Sequence, residues 1–205
     1  MKAIPRWKQG AVFSRHYLYW VSSRFCDIPG LLVFEPNVFE DERGYFFESY
    51  NENIFRQQGI DIRWVQDNQS SSSYGVIRGL HYQLPPFAQA KLIRVLKGKI
   101  LDVVVDTRKG SPTYTKVFAL KLSAKNKKQL FIPAGFAHGF SVLSDRAEVL
   151  YKCDKFYNKD AETGIIYNDA ELNIDWQIPV KLAIVSEKDK SFPSLAQCNN
   201  SFVYL

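Results

Sequence analysis

Apolar residues fall in short runs along most of the chain, separated by glycine, proline, asparagine and charged clusters. Where they alternate with polar positions the period is two, which suits strands with one buried face. The runs at 31–34, 45–50, 64–68, 76–83, 92–96, 100–106, 115–122, 129–132, 137–143, 148–151 and 164–167 are therefore predicted strands. Between them Lys97-Gly98, Arg108-Lys109-Gly110-Ser111-Pro112 and Ser123-Ala124-Lys125-Asn126 supply turn chemistry. One helix is predicted over 52–58, with Asn51 as its cap and Gly59 as its stop. Many short strands, with no repeat and no interior linker, predict an all-β fold: a jelly-roll or cupin-like β-barrel with a few short helices.

The same alternation assigns side chains to faces. His81 is placed with Ile77, Gly79 and Gln83, while Phe136, His138 and Phe140 share another face, and Lys91 lines up with Ile93 and Val95. A histidine or lysine on such an apolar face is costly in a dry core and reasonable beside a ligand cavity. Arg78 falls opposite His81, so both reach one pocket only if Gly79 marks a bulge.

Composition narrows the class. A chain of 205 residues, 46% hydrophobic and 15% aromatic, is enough for one domain with a real core and argues against disorder. No apolar run approaches the roughly 18 residues of a membrane span. Tyr17-Leu18-Tyr19-Trp20-Val21 is too short, and too polar at its flanks, for a signal segment. Cys26, Cys153 and Cys198 are odd in number and widely spaced, which predicts reduced thiols and a cytoplasmic protein.

The net charge of +6 changes meaning once it is located. Lys2, Arg6, Lys8, Arg15 and Arg24 precede the first acid, Asp27, and the remaining 22 basic and 21 acidic residues nearly balance. Residues 1–27 are read as a basic N-terminal extension and 28–205 as a single domain. A basic, aromatic arm has the chemistry to touch RNA or anionic lipid. The near-neutral body does not, so neither nucleic acid nor membrane is an expected partner.

Two of only three histidines sit in Gly79-Leu80-His81-Tyr82-Gln83 and Pro133-Ala134-Gly135-Phe136-Ala137-His138-Gly139. A metal-binding cupin needs a His-x-His pair with a glutamate, then a further histidine. Here the first motif reads His81-Tyr82-Gln83 and His16 lies in the arm, so no metal is expected. No serine or cysteine occupies a nucleophile elbow. Proton transfer remains: a histidine held by a carboxylate can deprotonate a carbon beside a carbonyl if a fixed positive charge meets the enolate oxygen. Lys91 suits that second task, and a tyrosine can act as acid from the other side. Taken singly, His81 reads as a core histidine, Lys91 as a rim charge and Tyr151 as barrel packing; only their combination carries chemistry.

That combination sits among many ordered blocks. They include Ile28-Pro29-Gly30, Phe34-Glu35-Pro36, Asp41-Glu42-Arg43-Gly44, Gln66-Asp67-Asn68 and Arg78-Gly79-Leu80-His81-Tyr82-Gln83. Ile132 to Phe140, Leu150-Tyr151-Lys152 and Ser186-Glu187-Lys188-Asp189 complete the set. Through them the chain closely resembles the dTDP-4-dehydrorhamnose 3,5-epimerase family, jelly-roll enzymes that act on sugar nucleotides without a cofactor. The resemblance implies His81 as general base oriented by Asp189, Lys91 as oxyanion stabiliser, and Tyr151 as acid on the opposite ring face. It also implies that Arg43, Phe46, Glu48, Gln66, Asp67, Asn68, Arg78, His138, Glu162 and Lys188 bind the nucleotide sugar. Tyr157 would stack on the thymine ring. The family forms homodimers by sharing strands, and a partner subunit can complete the nucleotide site.

By this resemblance the chain inverts carbons 3 and 5 of dTDP-4-dehydro-6-deoxy-D-glucose, supplying a rhamnose nucleotide for surface polysaccharide. The alternatives are a single-centre epimerase or ketoisomerase, a non-catalytic sugar-nucleotide-binding or carbohydrate-binding jelly roll, and a metal-dependent cupin oxygenase. The chain departs from the family in three places. The N-terminal extension has no counterpart, Lys152-Cys153-Asp154-Lys155-Phe156-Tyr157 replaces a threonine-rich stretch, and Gln69 stands where histidine is common.

Overall fold

Strand follows strand through most of the sequence, as the period-two pattern requires. The computed structural model describes residues 20–25 and 27–204. The elements are β1 (Trp20–Phe25), β2 (Leu32–Pro36), β3 (Phe39–Asp41), β4 (Gly44–Phe46), α1 (Glu52–Gln57), β5 (Gln66–Ser73), β6 (Val76–Gln83) and β7 (Lys91–Lys97). After these come β8 (Lys99–Asp106), β9 (Val117–Ser123), β10 (Gln129–Ile132), β11 (Phe136–Val142), β12 (Arg146–Cys153), β13 (Glu162–Gly164), β14 (Ile184–Val185) and α2 (Glu187–Lys190). One sheet runs β1-β2-β10-β7-β12-β5, and the facing sheet runs β13-β6-β11-β8-β9 with β14 added beside β6. Strands β3 and β4 form a separate hairpin. Two antiparallel sheets packed face to face make the expected jelly roll.

The core lies between the sheets. Ile93, Val95, Leu130, Ile132 and Val149 from one sheet meet Ile100, Val104, Phe136, Phe140 and Val142 from the other. The second sheet is also covered on its outer face, where Leu101, Val103 and Val105 pack with Ile165, Trp176, Leu195 and Phe202. Hence seven of the eight β8 residues are buried, and after the exposed Lys99 its sequence reads as a continuous apolar run except at its acids. The first sheet is capped by the α1 segment through Phe55 and Ile60 against Phe34, Leu92 and Phe131. The helix begins as its sequence requires, with the Asn51 side chain accepting the Asn53 N–H at 3.1 Å, and Gly59 follows with a φ of 82°.

Several boundaries differ from the sequence expectation. The run at 45–50 is a strand only as far as Phe46, because the β3–β4 hairpin ends there and Tyr50 turns to pack on Phe55. The strand expected at 64–68 starts at Gln66 and extends to Ser73, since the serine run pairs along β12. The strand expected at 164–167 is Glu162–Gly164, set by pairing with Gln83, Tyr82 and His81. Strand β1 falls inside the stretch read as an extension, and its backbone pairs with β2.

The β8–β9 turn shows how a buried charge is accommodated. Fully buried Asp106 accepts from Arg108 Nε and Nη2 at 2.8 Å each, Ser111 Oγ at 2.6 Å and Thr113 Oγ1 at 2.7 Å. Burial raises its pKa, but these bonds together hold it below the ordinary carboxylate value. The Arg108 guanidinium also lies 4.2 Å from the Phe136 ring centroid and 4.9 Å from that of Tyr204. Asp106→Asn leaves this guanidinium without its counter-charge, so urea denaturation is expected to show a loss of about 3–5 kcal/mol. A loss under about 1 kcal/mol would mean that neighbouring hydroxyls alone hold the turn.

Candidate active site

Inward-facing positions change from aliphatic to polar toward one end of the barrel. Along β7 the inward stripe runs Val95, Ile93, Lys91, and along β12 it runs Val149, Tyr151, Cys153. Strand β5 contributes Asn68 and Gln66 there, and β6 contributes His81 and Gln83. The result is a pocket of about 130 Å³ lined by Gln66, Asn68, His81, Tyr82, Gln83, Gln89, Lys91, Tyr151, Tyr157 and Glu162.

His81 reaches this pocket because β6 is bulged. Its register against β11 pairs His138 with His81 but Phe140 with Arg78, so β6 carries one extra residue. Gly79 takes that place with a φ of 125°, and a Cβ there would sit 2.6 Å from Gly139 Cα and 2.9 Å from the His138 carbonyl oxygen. The bulge shifts the alternation, which corrects the face predicted for His81. Ile77 turns to the outer cluster with Leu80 and Tyr82.

His81 is held firmly. Its Nε2 lies 2.9 Å from Oδ1 of buried Asp189, whose Oδ2 accepts the Gly79 N–H at 2.9 Å. Asp189 is itself fixed in α2, where its N–H donates to the capping Ser186 Oγ at 3.1 Å. Phe192 packs edge-on against the imidazole, with centroids 5.5 Å apart. Burial raises the Asp189 pKa, yet the bonds from His81, Gly79 and Ser186 bring it below the ordinary value. An ionised Asp189 receives Nε2–H, so the other imidazole nitrogen carries the lone pair.

The other polar groups have distinct surroundings. Burial pushes the Lys91 amine below the usual lysine range, opposed by the charges of Glu162 and Asp102. Burial pushes the Tyr151 phenol up, and Cys153 and Glu162 add to the rise while Arg78 opposes it. Cys153 stands directly across from Lys91 in the sheet, and burial raises its thiol to about 11. It is therefore neutral near pH 7, and its sulfur accepts from Asn68 Nδ2 at 3.7 Å.

Tyr157 and Glu162 form the rim. Glu162 Oε2 accepts the Tyr157 hydroxyl at 2.6 Å and lies 2.5 Å from Lys188 Nζ. The bond to Glu162 drives the Tyr157 pKa up to about 12. Burial raises the Glu162 pKa, but Lys188 and Tyr157 hold it below its ordinary value.

Not every candidate joins the pocket. His138 points between the sheets, its Nε2 3.0 and 3.1 Å from the carboxylate oxygens of fully buried Asp102, and it does not line the cavity. Arg78 is exposed and donates to Ser72 Oγ from Nε and Nη2, both at 3.1 Å. Asp67 faces outward and pairs with Lys152 at 3.1 Å. Arg43 pairs with Asp41 on the β3–β4 hairpin, Phe46 at its end is 64% exposed, and Glu48 accepts from Asn51 Nδ2 at 3.0 Å. None of these three lines this chain's pocket. The residues that sequence reading missed are Gln83, Gln89 and Tyr82 in the lining and Asp102 behind His138. Asp102 carried a signal, an acid inside the apolar run of β8.

Comparisons with known proteins point to one family. The family model described as dTDP-4-dehydrorhamnose 3,5-epimerase matches residues 26–197. The chain is 54% identical over 164 residues to a dTDP-4-dehydrorhamnose 3,5-epimerase of Shigella flexneri, a match covering 80% of this chain and 90% of that one. It resembles the crystal structure of the Elizabethkingia anophelis dTDP-4-dehydrorhamnose 3,5-epimerase with a TM-score of 0.81 at 49% identity, covering 84% of this chain and 95% of that chain. The dTDP-6-deoxy-D-glucose-3,5-epimerase of Legionella pneumophila, solved with dTDP-4-keto-L-rhamnose, gives a TM-score of 0.83 at 42% identity, covering 87% and 94%. With their fold and about half their residues shared along most of its length, this chain belongs to the dTDP-4-dehydrorhamnose 3,5-epimerase family.

Proposed function

We propose that this chain is a nucleotide-sugar epimerase that converts dTDP-4-dehydro-6-deoxy-D-glucose to dTDP-4-dehydro-L-rhamnose by inverting carbons 3 and 5. The observation that carries the reading is the placing of His81, Lys91 and Tyr151 around one pocket, with Asp189 behind the imidazole. The C4 carbonyl acidifies the hydrogens on both neighbouring carbons. His81 removes one of them, and the electron pair passes to the C4 oxygen as an enolate beside the Lys91 ammonium. Tyr151 then delivers a proton to the opposite face, and the carbonyl reforms with the centre inverted. The cycle moves protons only, so no electron or group carrier is consumed.

The remaining roles are assigned to the nucleotide. Lys188, Arg78 and Arg43 suit a diphosphate, Gln66, Asn68 and Glu162 line the pocket, and the family resemblance adds His138. Tyr157 offers its ring to the base. Arg43, Phe46 and Glu48 lie on or just after a hairpin away from this chain's pocket, which supports a homodimer in which each subunit extends them to the other. The free thiols of Cys153 and Cys198 suit a cytoplasmic enzyme, and among the described residues no helix is long and apolar enough to cross a membrane.

Incubation with the keto-sugar nucleotide in heavy water, followed by NMR, tests the reaction. Deuterium is expected at carbons 3 and 5, with conversion to the L-rhamno configuration. Exchange at one carbon alone would make this a single-centre epimerase. Binding without exchange at either would leave a sugar-nucleotide-binding jelly roll.

A further inference from the structure

We propose that Gln83 is a positioning residue for nucleotide recognition, the centre of a glutamine clamp that presents the Tyr157 ring as a rigid platform. The inference rests on the stacking role proposed above for Tyr157. That ring is 52% exposed, yet its residue is held at both ends. The Tyr157 N–H donates to Gln66 Oε1 at 2.9 Å, and its hydroxyl donates to Glu162 Oε2 at 2.6 Å. The next N–H, from Asn158, donates to Gln83 Oε1 at 2.8 Å. Gln83 Nε2 donates to the Phe87 carbonyl at 2.7 Å and to the Phe156 carbonyl at 3.4 Å. Gln89 Nε2 donates to the Lys155 carbonyl at 2.8 Å.

Three glutamines from β5, β6 and the loop before β7 thus bind the backbone of residues 155–158. The residue type fits the task. A carboxamide offers a donor and an acceptor without charge, so one side chain satisfies both a backbone N–H and a backbone carbonyl. Gln83 is only 4% exposed, so its amide is committed to the clamp. An exposed ring on a free loop loses freedom when it stacks, and that loss weakens binding; a ring already fixed avoids it. Gln83 also lies two residues beyond His81 on the same strand, which ties the platform to the element carrying the base.

Titration calorimetry with dTDP and with pyrophosphate on the full chain separates a platform from a general structural role. Gln83→Met is expected to weaken dTDP about 5- to 20-fold, and the milder Gln89→Ala about two- to fourfold. Pyrophosphate, which has no base to stack, is expected to change less than about twofold in either variant. Adding Gln83→Met to Tyr157→Ala should cause no further loss. Equal weakening of dTDP and pyrophosphate, or unchanged dTDP binding in both glutamine variants, overturns the clamp. If Gln83→Met does not fold, Gln89→Ala decides by the same criterion. Wild-type dTDP affinity in Tyr157→Ala would remove the stacking role itself, and the clamp with it. A weakened Tyr157→Ala beside unaffected glutamine variants would remove the clamp alone.

Discussion

His81→Gln is expected to slow deuterium exchange into the keto-sugar by roughly 10³–10⁴-fold, within the range of a lost general base. Glutamine is chosen because its amide nitrogen reaches the position of Nε2 and can still donate to Asp189 Oδ1, so the β6 bulge and the α2 cap keep their bonds. What disappears is the lone-pair nitrogen. The base acts on the transition state and not on nucleotide binding, so kcat and kcat/KM should fall together. The dTDP affinity should stay within about threefold of the parent. Exchange within about tenfold of the parent rate would show that another group takes the proton. His138 is the other histidine in the barrel, but its Nε2 faces both oxygens of Asp102 and it does not line the pocket.

The parts of this arrangement that local sequence determines were legible before the structure. Strand limits at 76–83 and 129–132 agree with the observed elements because alternation and flanking turns fix them locally. The Asn51 cap and Gly59 stop were equally local. The bulge at Gly79 could be posed as a condition, since a glycine between an arginine and a histidine needed on one side is a conflict that only an extra residue resolves. The turning of Ile77 to the outer face is not legible in the sequence, because the shift of phase shows only against the partner strand β11.

Long-range pairings were hidden. Strands β3 and β14 span three and two residues and exist only through their partners. The commitment of Gln83 and Gln89 to a loop about seventy residues away has no signature in spacing. Asp189 entered through resemblance; its distance of 108 residues from His81 offers no pattern to read. The placing of Arg43 and Phe46 outside the pocket follows from the hairpin leaving the barrel, which composition does not encode.

Tyr151→Phe is expected to separate the two halves of the reaction. The ring packs against the inter-sheet core beside Ile93, its neighbour across the strand pair, so phenylalanine preserves that packing and removes only the hydroxyl. Burial holds the phenol above its ordinary pKa, so at neutral pH it is a proton donor and not a phenolate. Without it, His81 still forms the enolate and can return a proton to the face it came from. In heavy water this deposits deuterium in the starting sugar with its configuration retained. Inversion should fall by about 10²–10³-fold while exchange at the abstracted position falls by less than about tenfold. Because one base on one face only restores the original centre, the ratio of exchange to inversion measures the second proton donor directly. A variant that inverts at the parent rate would take Tyr151 out of the mechanism. One that loses exchange and inversion equally would assign the hydroxyl to enolate formation, as a partner of Lys91 at the carbonyl oxygen.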